Sequence, residues 1–128
     1  MSRKKRAEEQ IPPMELAIMH VLWEFGPSTV QQVQRRLDGT QAYTTVQTIL
    51  NTMEAKGRTT RKLQGKAYIY SASLSRDLAL GNAVRDLVQR TFKGSIDGLL
   101  MNLVKTEQVD KQALERLERM LSDMERQS

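Results

Sequence analysis

The chain has 128 residues, 39% of them hydrophobic and 27% charged, with a net charge of +5, one histidine and no cysteine. That length suffices for one domain, or for two small ones sharing a core, and the lack of cysteine excludes a disulfide framework, thiolate catalysis and cysteine-held zinc or iron–sulfur sites. No apolar run approaches the ~20 residues that span a bilayer, and residues 1–13 lack the apolar core of a secretion signal, so a cytoplasmic protein with no membrane insertion is expected.

Residues 1–12 open the chain as a charged segment without periodicity, expected to be a disordered basic arm. Its Arg3-Lys4-Lys5-Arg6 run either touches phosphates without sequence preference or is simply solvated. Pro12-Pro13 sets up a helix over 14–25, with Glu15 in a first turn that the helix dipole favours for an acid. Leu16, Ile18, Met19, Leu22, Trp23 and Phe25 form its broad apolar face, and Gly26-Pro27 stops it. His20 has no second ligand near it in sequence and reads as a surface or half-buried residue, with no metal or catalytic role. Ser28 or Thr29, each with a glutamine three residues on, caps a second helix that buries Val30, Val33 and Leu37 and ends near Gly39-Thr40.

The third predicted helix, 42–57, has two faces with different chemistry. Val46, Ile49, Leu50 and Met53 recur at helical spacing and must pack on a neighbour. The other side carries Thr44, Thr45, Gln47, Thr48, Asn51 and Thr52 instead of the Glu, Lys and Arg that fill an ordinary solvated face. Threonine methyls can meet the thymine methyl, and Gln or Asn amides can pair two-fold with adenine in a major groove. A short helix, a turn and this polar-faced helix make a helix-turn-helix. Candidates for base edges and nearby phosphates of double-stranded DNA are Thr44, Thr45, Gln47, Thr48 and Asn51, with Tyr43 on a phosphate at the helix entrance.

After Gly57, a helix C-cap, two extended runs at 58–63 and 66–71 meet at a Gln64-Gly65 turn, with Tyr68 and Tyr70 alternating with Ala67 and Ile69. A basic hairpin directly behind a recognition helix is a wing. Lys56, Arg61, Lys62 and Lys66 are its expected neutralisers of backbone charge, although lysines on an edge hairpin can also merely discourage edge pairing.

From Ser75 the pattern is wholly helical. Helices are expected over 76–92 (Leu80, Val84, Leu87, Val88, Phe92), 95–105 (Ile96, Leu99, Leu100, Leu103, Val104) and 111–126, the last capped by Asp110. Leu114, Leu117, Leu121 and Met124 give it an a/d seam of about two heptads, too short to hold a dimer alone. Three such helices without a folded partner would leave much apolar surface exposed. Homodimerisation through Leu80, Val84, Leu87, Leu99, Leu103, Leu114, Leu117 and Leu121 is the simplest remedy, and packing back on the N-terminal domain the alternative. Charge divides along the same line: residues 1–74 hold 11 Lys/Arg against 6 Asp/Glu, and residues 75–128 hold 9 of each. The excess cation sits in the half expected to meet a polyanion.

The expected architecture is therefore mainly α: a basic arm at 1–12, a winged helix-turn-helix domain of three helices and a β-hairpin at 13–74, and a three-helix dimerisation region at 75–128. The runs ELAIMHVLWEFGPSTVQQV, AYTTVQTILNTMEAKG and GKAYIYSASLSR, with the tail FKGSIDGLLMNLVKTEQVDKQALERLERML, resemble the penicillinase-repressor family of BlaI and MecI type. The resemblance covers about residues 15–121, and the joint presence of AYTTVQT and GKAYIYS is what makes it specific. It implies a homodimeric winged-helix repressor on a palindromic operator, with residues from about 75 onward as the dimerisation region. Some relatives are inactivated when a membrane metalloprotease signalling pathway cleaves an Asn–hydrophobic bond in the fifth helix. Asn102-Leu103 occupies the matching position, with Leu where those relatives carry Phe. The copper-responsive branch senses metal through C-terminal cysteines, which this chain lacks, so no metal and no cofactor is expected. Arg58-Thr59 stands where relatives usually have an apolar pair; it either loosens the first wing strand or brings another cation to the DNA backbone.

Two other readings are open at this level: a small-molecule-responsive winged-helix repressor, and a winged-helix adaptor that binds protein through the same surface. An enzyme is not expected, because one histidine, no cysteine and scattered solvated acids assemble no catalytic constellation.

Overall fold

The computed structural model describes residues 10–127. The Arg3-Lys4-Lys5-Arg6 run lies outside the described residues. Residues 10 and 11, expected to belong to a free arm, are instead anchored: Ile11 packs against the core, and the Gln10 carbonyl accepts a hydrogen bond from Arg58 Nη2 at 3.2 Å.

Helix α1, Pro13–Phe25, starts with proline at its first position and ends where Gly26 adopts φ 79°. Helix α2, Val30–Arg36, opens with a full capping box. Gln32 N–H donates to Thr29 Oγ1 at 3.1 Å, and Thr29 N–H donates to Gln32 Oε1 at 2.9 Å. Asp38 and Gly39, both at φ 65°, turn the chain, and Gln34 Nε2 ties that turn down by donating to the Gln41 carbonyl at 3.0 Å. Helix α3, Tyr43–Ala55, follows at once. Val46, Leu50 and Met53 are fully buried and Ile49 partly so, which is the apolar stripe the spacing predicts.

Strands β1, Thr59–Gln64, and β2, Ala67–Ala72, form an antiparallel hairpin in which Thr59 faces Ala72 and Gln64 faces Ala67. The turn is Gly65-Lys66, one residue later than expected, because Gln64 still pairs across the ladder; Gly65 at φ 64° supplies the left-handed conformation a tight turn needs. Ser28 bridges to the outer edge of β2. Its N–H donates to the Tyr70 carbonyl at 2.9 Å, and the Tyr70 N–H donates back at 2.8 Å. The wing is thereby stitched to the start of α2.

One core gathers Ile18, Met19, Val21 and Leu22 of α1, Val30 and Val33 of α2, the α3 stripe, Tyr70, Leu74 and Ala79. Trp23 packs on its margin and donates Nε1–H to the Leu74 carbonyl at 2.9 Å. Helix α4, Arg76–Thr91, begins inside this unit because Ala79 is buried in it. The division between compact units falls at Val84/Arg85, part-way along α4, not at 74/75.

The second unit holds the end of α4, helix α5, Ile96–Lys105, and helix α6, Lys111–Gln127. Ser95 Oγ accepts from Gly98 N–H at 2.9 Å to cap α5, and Asp110 Oδ1 accepts from Ala113 N–H at 2.8 Å to cap α6, as expected. Neither α5 nor α6 buries a residue, and Val88 is the only buried residue among those described from Arg85 onward. No helix among the described residues is long and apolar enough to cross a membrane.

Candidate nucleic-acid interface

With its stripe in the core, α3 leaves Tyr43, Thr44, Thr45, Gln47, Thr48, Asn51 and Thr52 exposed on one continuous side. Its N-cap is Ala42, which has no side-chain oxygen for the first N–H groups, whereas α2, α5 and α6 all have such a cap. Alanine at this position is worth about 1 kcal/mol less to the helix than a capping residue. The uncapped N–H groups and the positive end of the helix dipole are a setting that favours an anion.

Individual candidates differ in how available they are. Thr52 Oγ1 donates to the Thr48 carbonyl at 3.0 Å, so that hydroxyl is turned to its own helix. Asn51 Oδ1 accepts from Tyr70 Oη at 2.7 Å and from Arg61 Nη1 at 3.1 Å. Two-fold pairing with adenine needs that oxygen as an acceptor, and in the free chain it links α3 to the wing. The Arg61 guanidinium also lies over the Tyr68 ring at 4.3 Å. Hydrogen bonding with Tyr70 holds its pKa above the ordinary arginine value. Lys62 and Lys66 are exposed and make no ion pair among the described residues.

Lys56, expected to neutralise phosphates, has its Nζ paired with Glu15 Oε2 at 3.0 Å and a side chain that is 31% exposed. Arg58 overturns both expectations for the Arg58-Thr59 pair. The Arg58 side chain is 2% exposed and donates Nη1–H to Glu15 Oε1 at 2.7 Å, so it brings no cation to the surface. Strand β1 is not loosened either, since Thr59 is buried, pairs with Ala72, and the Arg58 carbonyl accepts from Ser73 N–H at 2.9 Å. Glu15 does more than complement the helix dipole: it is a buried acid holding two cations and so ties α1 to the α3–β1 junction. Glu15 and Arg58 are 43 positions apart, and no local pattern signals such a pair.

Among the described residues no group of three or more His, Cys, Asp or Glu could hold a metal ion. His20 is exposed and lies edge-to-face with Trp23, with ring centroids 5.4 Å apart.

The penicillinase repressor family model matches residues 11–123. The chain belongs to the penicillinase repressor family. The transcriptional regulator BlaI of Mycobacterium tuberculosis is 33% identical over 116 residues, covering 88% of this chain and 83% of that protein. The penicillinase repressor of Bacillus licheniformis is 21% identical over 116 residues, covering 89% and 91%. The methicillin resistance regulatory protein MecI of Staphylococcus aureus is 20% identical over 117 residues, covering 88% and 94%. In fold, the chain is similar to the crystal structure of the transcriptional regulator Tm0710 from Thermotoga maritima, with a TM-score of 0.50 and 19% identity over 98% of this chain and 85% of that one. As a member of the penicillinase repressor family the protein is a winged-helix, DNA-binding transcriptional repressor and not an enzyme. The adaptor reading is set aside.

Proposed function

We propose that two copies of the chain, paired through α4–α6, place their α3 helices in successive major grooves of a palindromic operator and so repress transcription. Within that reading Thr44, Thr45, Gln47 and Thr48 meet base edges and flanking phosphates. Tyr43 and the uncapped start of α3 meet a phosphate, and Arg61, Lys62 and Lys66 neutralise the backbone beside the helix. The observation that carries it is the open side of α3, where uncharged hydrogen-bonding side chains stand exposed beside a wing whose Lys62 and Lys66 are exposed and make no ion pair among the described residues. Pairing of two copies is supported by the C-terminal helices, whose Leu80, Val84, Leu87, Leu114, Leu117 and Leu121 are 40–57% exposed in the single chain. Leu99 and Leu103 are half-buried. Leu100, Val104 and Met124 of the predicted apolar stripes, together with Met101 and Met120 outside them, are likewise 45–66% exposed.

Relief by proteolysis belongs to the same proposal. Asn102 is exposed and Leu103 half-buried in a helix that buries nothing, so local opening of α5 is cheap compared with opening a core helix. A membrane metalloprotease signalling partner that leads to cleavage there would divide the dimerisation region and leave monomers with half the contacts. The deciding experiment for DNA recognition is selection from a random duplex pool by the full-length protein at roughly 0.15 M salt. Enrichment of a two-fold symmetric sequence is expected, and no enrichment would sink the proposal. Co-expression with an active signalling protease should yield fragments whose masses place the cut between Asn102 and Leu103.

A further inference from the structure

We propose that Tyr70, Asn51 and Tyr68 are positioning residues that hold the Arg61 guanidinium ready for a phosphodiester of the bound duplex, at the junction of α3 and the wing. The inference rests on the DNA-binding reading and goes beyond it by separating the group that meets the ligand from those that aim it. Arg61 is exposed, yet it is restrained from two directions: Nη1 donates to Asn51 Oδ1 at 3.1 Å, and the guanidinium plane lies over Tyr68 at 4.3 Å. Asn51 is itself held, because Tyr70 Oη donates to the same oxygen at 2.7 Å from a ring that is 1% exposed and fixed in the core. The rigid interior of the domain thus reaches a surface cation through two hydrogen bonds.

A free arginine must give up much rotamer freedom to bind an anion, and a pre-oriented one gives up less. Asn51 engages one of the five guanidinium N–H donors, and the planar fork still suits an anion with paired oxygens. Register places the device: Arg61 faces Tyr70 across the ladder and Leu63 faces Tyr68, so Arg61, Tyr68 and Tyr70 share the hairpin face turned to α3. Lys62 lies on the opposite face of the hairpin, and neither it nor Lys66 makes an ion pair among the described residues. Position on the wing, beside the reading helix but off its open side, favours the backbone over a base edge as the ligand.

The test is a mutant cycle in the full-length protein, read as affinity and salt dependence on two probes. These are the duplex that the wild type enriches from a random pool and a shuffled duplex of the same length. Arg61→Ala should weaken both alike, by roughly fivefold per protomer at about 0.15 M salt, and flatten the log–log salt slope by about one per protomer. Tyr70→Phe removes only the hydroxyl. It should weaken binding in the wild-type background and change nothing further when Arg61 is already alanine. Tyr68→Phe should bind as the wild type does, because the ring face is retained, whereas Tyr68→Leu should bind like a weaker form of Arg61→Ala. Tyr68 is 42% exposed, so that pair reports even if Tyr70→Phe folds poorly. Additive effects of Tyr70→Phe and Arg61→Ala, or equal binding by the two Tyr68 variants, would overturn the positioning role. Loss by Arg61→Ala on the selected duplex alone, with an unchanged slope, would overturn the phosphodiester. A wild type that enriches no duplex would instead remove the DNA reading beneath both.

Discussion

Ile18, Met19, Val33, Val46, Leu50 and Met53 converge in the first unit with no exposure at all, whereas from Arg85 onward Leu87, Leu100, Leu117 and Leu121 stay 43–57% exposed. Both regions are amphipathic in sequence and both form regular helices, so the contrast does not come from local propensity. It comes from what each stripe meets. In the first unit α1, α2, α3 and Tyr70 supply one another's partners. In the second, α5 and α6 form but find no buried side within one chain. Covering the remaining half of each leucine contributes about 1 kcal/mol, and a second copy offers that cover over many side chains at once. The first unit is made rigid by a core of its own, and the second is what the proposed pairing of two copies would complete.

The sharpest way to break this contrast is a charge in α6. Leu117→Asp leaves the single chain nearly as stable, since the side chain is 46% exposed there, but puts an unpaired carboxylate into any surface shared by two copies. Sedimentation should report monomers. Affinity for the selected duplex should fall toward nonspecific binding, a loss on the order of 10³. Unchanged sedimentation would remove α6 from the dimer.

In the first unit the largest effect lies in the interior. Glu15→Ala strands Arg58 as a buried, uncompensated cation and should destabilise the domain by roughly 3–5 kcal/mol in urea or thermal unfolding. The double replacement Glu15→Leu with Arg58→Met should recover most of that loss, because a well-packed apolar pair serves as well as a buried ion pair. Failure of the double variant to recover would mean that the Lys56 pairing or the Gln10 anchor carries the junction.

These two predictions also mark what was legible in the chain. Helix stripes, the Thr29 capping box, the Asp110 cap and the hairpin are local patterns, and each stands in the structure within a residue or two. Glu15 with Arg58, Asn51 with Tyr70, and Ser28 with Tyr70 join residues 19 to 43 positions apart. Periodicity carries no trace of such pairs, so Lys56, Arg58 and Asn51 read as free polar groups in the sequence although each has a partner in the fold. The open threonine and glutamine face is legible for the opposite reason: it violates the usual solvated-face composition, and nothing among the described residues covers it.

Gln47 tests that face directly. Gln47→Ala should cost roughly 1–3 kcal/mol on the selected duplex and little on a shuffled one, measured by titration under equal salt. Equal loss on both would move Gln47 from base reading to the backbone.

The smallest expected effect separates two lysines that look alike in the sequence. Lys62 is exposed and unpaired among the described residues, while Lys56 is bound to Glu15 at 3.0 Å. If the wing cations serve the DNA backbone, Lys62→Ala should weaken selected and shuffled duplexes by the same factor and flatten the salt slope by about one per protomer. It should leave the unfolding transition within about 0.5 kcal/mol of wild type, as surface substitutions generally do. Lys56→Ala should do the reverse, lowering stability modestly with the salt slope intact, because its charge already answers a carboxylate inside the domain. If instead both lysines changed the slope equally, the Glu15 pair would have to open when DNA binds, and the rigidity assigned to the first unit would end at the α3–β1 junction.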